Sequence, residues 1–337
     1  MDIKGNAFLI TGGAGLMGSH IAERLVAAGA RKIILLDNMV RGSMDNIKHL
    51  LPDPRVTFVN GDIRSLDLMR DVATGINGVF HMAALRITAC AADPREAMEV
   101  MLLGLHNVLQ VIVEKQVGRL LYASSASIYG LADSFPTSET HPPYNNRTYY
   151  GAAKIAGEGM ARAFAEMYGI NYVALRYFNV YGPRMDMHGK YTEVLVRWMD
   201  RIEQGEPPMI FGTGSQTMDL VNIADVTDAN ILAMQSGVTD EVFNIASGTE
   251  TSLLELLNVL LRATGSNLKP AFLPERSVNP VPRRLADVEK AERVLGFKAK
   301  VELEEGLKQL VVWRQSAKMV QTEAETVARE DAHVPVP

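Results

Sequence analysis

Thr11-Gly12-Gly13-Ala14-Gly15-Leu16-Met17-Gly18 stands where an apolar run, Ala7 to Thr11, gives way to a stretch of helical period that starts at Leu16. A strand passing through a glycine turn into a helix is the context that gives such a stretch meaning. Gly12 permits the tight turn, Gly15 lets the backbone approach a pyrophosphate with no Cβ in the way, and Gly18 lets the helix pack closely on the strand. Leu16 and Met17 open the helix, whose N–H groups and dipole favour negative charge. At the end of the next apolar run, about twenty residues on, stand Asp37 and Asn38; a carboxylate there accepts ribose hydroxyls. Together these features predict a dinucleotide site. NAD is favoured over NADP because the carboxylate repels a 2′-phosphate, and Arg41 softens that preference. Asp62 and Ile63, after the third strand, are candidates to cup the adenine, and Asp62 is equally placed to cap the helix starting near Ser65.

Outward from that turn the first half alternates. Lys32 to Leu36, Val56 to Asn60, Gly78 to Met82 and Arg119 to Ser124 read as further strands, with helical stretches at Leu16 to Ala28, Leu66 to Thr74 and Arg95 to Lys115. A helix from Tyr150 to Tyr168 and a strand from Tyr172 to Tyr177 follow. The pattern predicts right-handed crossovers and an α/β fold, a doubly wound parallel sheet of the Rossmann kind. After Asn179 the sequence is punctuated by Pro183, Gly189, Gly205, Pro207, Pro208, Gly212 and Gly214, which predicts a smaller lobe of irregular loops. Val242 to Ile245 reads as a late strand returning to the main sheet. The division expected is therefore 1–179, a second lobe over 180–314 with returning segments near 220–246, and a polar, frayed tail over 315–337.

Composition bounds the partners. The chain has 337 residues, 34 basic against 39 acidic, for a net charge of −5. That balance points to neither nucleic acid nor an anionic membrane, so a polyanionic ligand must be held by local groups. The single cysteine, Cys90, reads as a packing residue, and no His/Cys cluster has metal-ligand spacing, so no metal is expected. No export signal is read at the start, and no apolar run approaches the ~20 residues needed to cross a bilayer. The expected location is cytoplasmic.

Tyr150 and Lys154 lie four residues apart at the start of a helical stretch, one turn apart on one face. An ammonium there would draw the phenol from its ordinary ~10 toward neutrality and make it a base. Tyr149 lacks that spacing. A third element is Ser124-Ser125-Ala126-Ser127 at the end of the fifth strand, where a hydroxyl could hold the reacting oxygen; strand C-termini are where such sheets bind ligands.

These residues, with His81-Met82-Ala83-Ala84 and Arg176-Tyr-Phe-Asn-Val-Tyr-Gly-Pro-Arg184, resemble the extended short-chain dehydrogenases, and among them the nucleotide-sugar epimerases and dehydratases, from about Ala7 to about Trp313. The resemblance implies NAD as cofactor and a nucleotide-diphosphate sugar as substrate. It makes Ser125 the hydroxyl member, Tyr150 the base and Lys154 its partner and a ribose ligand. It also places Ala83, Ala84 and Phe178 against the cofactor, and Asn179, Ser127 and Arg184 against the substrate. A homodimer through the helices Arg95 to Lys115 and Tyr150 to Tyr168 is implied as well.

Branches of the family differ just after Ser125. The 4,6-dehydratases carry Asp then Glu, and the decarboxylases usually Glu at the second position. Here stand Ala126 and Ser127, closer to the 4-epimerases, which need only reversible oxidation at C4. Two departures stand out: Met218 replaces an arginine expected to contact phosphate, and Met101 replaces the usual asparagine of the helix after the fourth strand. Arg284 resembles a second phosphate-binding arginine, or else forms an ion pair with Asp287. Arg86 could face the sugar and suit a uronic acid. His81 reads as packed and His188 as part of a mobile loop. The expectation is a nucleotide-sugar 4-epimerase of UDP-hexose or UDP-hexuronate type. The alternatives are a 4,6-dehydratase, decarboxylase or ketosugar reductase of the same family, or a chain that binds NAD and turns nothing over.

Overall fold

The computed structural model describes residues 1–187, 193–274 and 281–331, with side chains as far as Met319. The first half alternates as β1 (Ala7–Thr11), α1 (Leu16–Ala27), β2 (Lys32–Asp37), β3 (Val56–Asn60), α2 (Leu66–Val72), β4 (Gly78–His81), α3 (Ile87–Ala92), α4 (Pro94–Met98), α5 (Gly104–Glu114), β5 (Arg119–Ser125), α6 (Tyr149–Tyr168) and β6 (Tyr172–Tyr177). The second half runs β7 (Asn179–Tyr181), α7 (Val194–Glu203), β8 (Met209–Phe211), β9 (Thr217–Asn222), α8 (Ile223–Gln235), β10 (Glu241–Ile245), β11 (Glu250–Ser252), α9 (Leu253–Thr264), β12 (Ala271–Leu273), α10 (Glu289–Leu295) and α11 (Leu303–Asp331).

Seven strands form one parallel sheet in the order β10-β6-β5-β4-β1-β2-β3. Strand order reverses between β1 and β4, and the crevice above that switch point is where ligands lie in such sheets. The period-2 alternation of a strand sorts β1 to two faces: Phe8 and Ile10 pack with Ile21 and Leu25 of α1, and Ala7 and Leu9 with Val108 and Leu109 of α5. A separate core, built on Trp198, Leu256, Leu260, Leu307 and Leu310, sits beneath the second lobe with its sheet β11-β9-β7. β10 pairs with β6, so the chain returns to the main sheet after building part of that lobe.

Helix ends follow local chemistry. Thr148 caps α6 by accepting from the Gly151 N–H at 3.0 Å, and Gly169 ends it in the left-handed conformation. Ser252 and Glu255 form a capping box on α9.

Two expectations are refined and one is corrected. The helix expected over Arg95 to Lys115 is present and runs without a break from Pro94 to Glu114, its segment Glu99–Leu103 being π-helical, where i→i+5 bonding admits an extra residue. The stretch Pro94–Glu114 is also long and apolar enough, by length and composition, to cross a membrane. Its apolar residues are spread around polar ones and so form no single run; they pack against the sheet and α6 instead. Finally, the tail expected from Gln315 continues α11 to Asp331, since Ala, Glu, Lys, Gln and Met are good helix formers and no proline intervenes before Pro335.

Candidate active site

A cleft of about 770 Å³ opens at the C-terminal edge of the sheet. Its wall includes Gly12, Gly15, Leu16, Met17 and Gly18 of the turn, then Asp37, Asn38, Asp62, Ile63, Ala83 and Ala84. The N-cap of α1 is Gly15, with no side chain to cap the helix, which leaves its amino end turned to the cleft. The glycines are sterically required. Gly12 has φ +70°, and a Cβ there would lie 2.8 Å from the Ala83 nitrogen; a Cβ on Gly18 would lie 2.2 Å from the Gly12 carbonyl oxygen. On Gly15 it would meet only the Gly12 oxygen, at 3.3 Å, so this position keeps the cleft open.

Asp37 is nearly buried, and its carboxylate is pinned by the N–H groups of Ala14 (3.0 Å) and Met39 (2.9 Å). Asp62 does not cap α2, because Ser65 does so by accepting from Leu68 N–H. Its carboxylate takes the Arg64 guanidinium and the Asn38 amide instead, and Arg64 foremost holds its pKa down to about 2. The residues present fit NAD: a glycine cradle that side chains would fill, an uncapped helix start and a fixed carboxylate.

Ser125, Tyr150 and Lys154 are brought together. The N–H of Ser127 donates to Ser125 Oγ at 3.1 Å, and the Ser125 side chain lies close enough to Tyr150 to draw its pKa down. Lys154 Nζ donates to the Ala123 carbonyl at 2.5 Å and lies 5.7 Å from the centre of the Tyr150 ring and 5.1 Å from that of Tyr122. The expected acidification of the phenol is not what this arrangement gives. Burial dominates and pushes Tyr150 up to about 12, opposed by Ser125 and by Arg41 and Arg284, with Cys90 raising it further. The ammonium is spent on the Ala123 carbonyl rather than on the phenol oxygen. Burial likewise pushes Lys154 down to about 8, against Cys90 and Glu158, which hold it up.

The remaining candidates divide. Arg86 and Arg184 line the large cleft. Arg86 reaches Asp186 at 3.3 Å, Arg41 meets the same carboxylate at 3.4 Å, and Arg184 pairs with Glu23. Arg41 is thus directed across the cleft. Asn179 carries a buried Oδ1 with no partner among the described residues. Phe178 lies off the large cleft, packed on Tyr129 and lining a small recess with Ala126 and Arg284. Arg284 makes no ion pair with Asp287, whose carboxylate accepts from Glu289 N–H; its backbone pairs with Thr217, beside Met218, and its charge acts on Tyr150. Met218 packs against the second-lobe core. Met101 is buried in the π segment and its thioether accepts from Leu85 N–H at 3.3 Å. His188 lies outside the described residues, and no described His, Cys, Asp or Glu group is placed to hold a metal.

Sequence reasoning missed Glu158, whose signal was its place one turn after Lys154 on α6. Two hydrogen bonds tie it to Arg176, at 2.9 and 2.7 Å, and Ser124 donates to it at 2.5 Å. Also missed were Asp186 and the α11 residues Trp313, Ser316 and Ala317 in the cleft wall, for which sequence gave no signal.

An open parallel sheet with a glycine turn, a pinned carboxylate at the end of its second strand and a Ser/Tyr/Lys cluster at its fifth defines a Rossmann-type NAD-binding protein of dehydrogenase build. The model of the NAD dependent epimerase/dehydratase family matches residues 8–246, and the chain belongs to that family. A protein named as a putative UDP-glucose 4-epimerase from Methanocaldococcus jannaschii is 35% identical over 308 residues, 90% of this chain and 97% of the relative. Among solved structures, the UDP-glucose 4-epimerase of Thermotoga maritima with UDP-glucose is 33% identical, covering 92% of this chain and 99% of that one, with TM-score 0.86. The UDP-glucuronic acid 4-epimerase of Bacillus cereus, in complex with UDP-glucuronic acid and NAD, is 26% identical over 92% of this chain and 99% of its own, with TM-score 0.84. NAD is the cofactor of this fold.

Proposed function

We propose that the chain is a nucleotide-sugar 4-epimerase acting on a UDP-hexose or UDP-hexuronate. The observation that carries this reading is the gathering of Ser125 at the end of β5 with Tyr150 and Lys154 at the start of α6, the ammonium 5.7 Å from the Tyr150 ring centre, joined to Ala126 and Ser127 where other branches place carboxyl groups. Ala126 and Ser127 place no carboxyl group after Ser125, so among the described residues the reading asks Tyr150 to move one proton to and from a hydroxyl.

Bound NAD supplies a reversible hydride acceptor. Tyr150 takes the O4 proton of the sugar while Ser125 Oγ holds the same oxygen, and Lys154 keeps positive charge beneath the phenol as it ionises. The sugar then turns over as its 4-ketone, and Tyr150 returns the proton once C4 is reduced on its other face. Asn179, Arg184 and Arg284 hold the diphosphate, as local groups must in a chain of net charge −5. Arg86 lines the cleft but is paired with Asp186, so the hexuronate branch of this reading requires that pair to open. We take residues 1–179 to carry the cofactor and the acid-base groups, and 180–314 to carry most substrate contacts.

Incubation of the purified protein with a panel of UDP- and dTDP-sugars in deuterated water tests this. The expected product is inverted at C4 with no deuterium at C5, and Tyr150→Phe keeps its cofactor while turnover falls about 10²–10⁴-fold. Deuterium at C5, net NADH formation, or a Tyr150→Phe variant as active as the wild type would each overturn the assignment. The reading includes a homodimer: Met98, Leu103, Met167 and Tyr168 are half exposed or more on the helices concerned, and sedimentation at micromolar concentration should give twice the chain mass.

A further inference from the structure

The cleft has a wall that belongs to neither the sheet nor the loops after it. Trp313, Ser316 and Ala317 of α11 line it together with Leu16 and Arg184. Their spacing of three and four puts them on one helix face. Trp313 and Leu16, the first residue of α1, both pack against the second-lobe core, so the wall reaches the glycine turn itself.

The same turns of α11 carry a charged anchor on a different face. Arg314, 1% exposed, donates from Nε to Glu203 at 2.9 Å and pairs with Asp200. Lys318, four residues on, reaches the same two carboxylates. Both carboxylates belong to the last turns of α7, and Glu193, the N-cap of α7, lines the cleft together with Met185 and Asp186. α7 and α11 are thus tied to each other beside the cleft to which both contribute. The guanidinium end of the tie is buried, whereas Asp200, Glu203 and Lys318 are 42%, 37% and 43% exposed, which leaves the tie open to screening by salt.

We propose that α11 retains the cofactor: its Trp313–Ala317 face closes one side of the cleft, and NAD leaves when the tie from Arg314 and Lys318 to Asp200 and Glu203 opens. Retention matters to an enzyme that recycles one bound cofactor, but the inference rests only on the cleft and not on the sugar that the enzyme turns over.

The test is the release of NAD from the holoenzyme, followed by chase of radiolabelled NAD with an excess of unlabelled NAD. Release from the wild type should quicken several-fold between 50 mM and 1 M NaCl, on the order expected when an exposed ion pair is screened. Lys318→Ala, which leaves no buried charge unpaired, should release NAD about threefold faster. The double variant Asp200→Asn, Glu203→Gln should release it about tenfold faster, with little further response to salt. Trp313→Ala should also release faster. Wild-type release rates in Lys318→Ala and in a folded double variant overturn the proposal even if Trp313→Ala is fast, because loss of a wall residue needs no helix movement to act. If the double variant does not fold, Lys318→Ala and the salt series on the wild type decide alone, and a flat result in both overturns it. Failure of the sugar panel, with salt-dependent release intact, would strike the epimerase reading and leave this one standing.

Discussion

His81 Nδ1 lies 2.7 Å from the Thr11 hydroxyl, and the ring stacks on Tyr122 with an interplanar angle of 13°. Thr11 Oγ1 also accepts from Ala83 N–H at 3.3 Å, so the imidazole helps to hold the cleft strands in register. Burial, and then the charge of Lys154, push His81 down to about 3. The unfolded chain takes up a proton near the ordinary ~6.5 and the native state does not, so stability falls as pH drops from about 6.5 toward 3. At pH 5 the loss from this group is about 2 kcal/mol. His20, pushed down to about 4 by burial and Arg184, adds a loss in the same direction. Urea unfolding of wild type and His81→Gln at pH 7 and pH 5 isolates the first: the difference between the two proteins should shrink by about 2 kcal/mol at the lower pH. An unchanged difference would show that His81 is charged in the native state. At this scale the placing of Tyr150 and Lys154 on one helix face was legible, because their spacing of four is a local fact, whereas Ser125 was singled out from the serines ending β5 only by the family resemblance. The electrostatics were not legible, because the weight of burial over charge depends on how three elements close around one phenol. Arg41 shows the same limit, since only the fold reveals that it points to Asp186 and acts on Tyr150.

At the scale of elements, α6 carries Tyr150, Lys154 and Glu158 along one face, and β6 supplies Arg176 to pair with the last of them. The pair is largely buried, with side-chain exposures of 9% for Arg176 and 13% for Glu158. Arg176 Nη1 further donates to Tyr129 Oη at 2.9 Å and to the Glu139 carbonyl at 2.8 Å, which fastens helix, strand and the loop after β5 together. Removing one member of a buried pair leaves the other uncompensated. Glu158→Gln should therefore cost about 3 kcal/mol in urea unfolding, whereas the double change Glu158→Gln, Arg176→Met should recover part of it. A double variant less stable than the sum of its singles would refute that coupling. The strands of the main sheet were readable because a buried parallel strand is a short β-branched run between turn signals, and their observed ends differ from the reading by a residue at most. The three-residue strands β7, β8, β11 and β12 were not, since so short a stretch has no periodicity to detect. α11 past Gln315 was missed for the opposite reason: its helix propensity is high, but it lacks the apolar stripe by which a helix is usually recognised.

Over the whole molecule, the cleft is the place where the two halves of the chain meet. One side is the glycine turn and the ends of β1, β2 and β4; the other is the loop after β7, the start of α7 and α11. Neither half forms this surface alone, so a ligand that fills it binds the native arrangement and has no counterpart in the unfolded chain. Mass action then sets the gain, about 2.7 kcal/mol when free ligand is at a hundred times its dissociation constant. Stripping NAD from the purified protein and adding it back at increasing concentration should raise the unfolding temperature continuously. The same additions should slow amide exchange in the segments around Gly12–Gly18 and Trp313–Ala317 together. The coupling of the two segments is the informative part. The turn is local and would be protected by any dinucleotide bound to the sheet, whereas α11 is nearly three hundred residues away in sequence and joins the cleft only through the tertiary fold. Protection confined to the glycine turn, with α11 exchanging at the same rate in both states, would mean that the last helix stands apart from the bound cofactor.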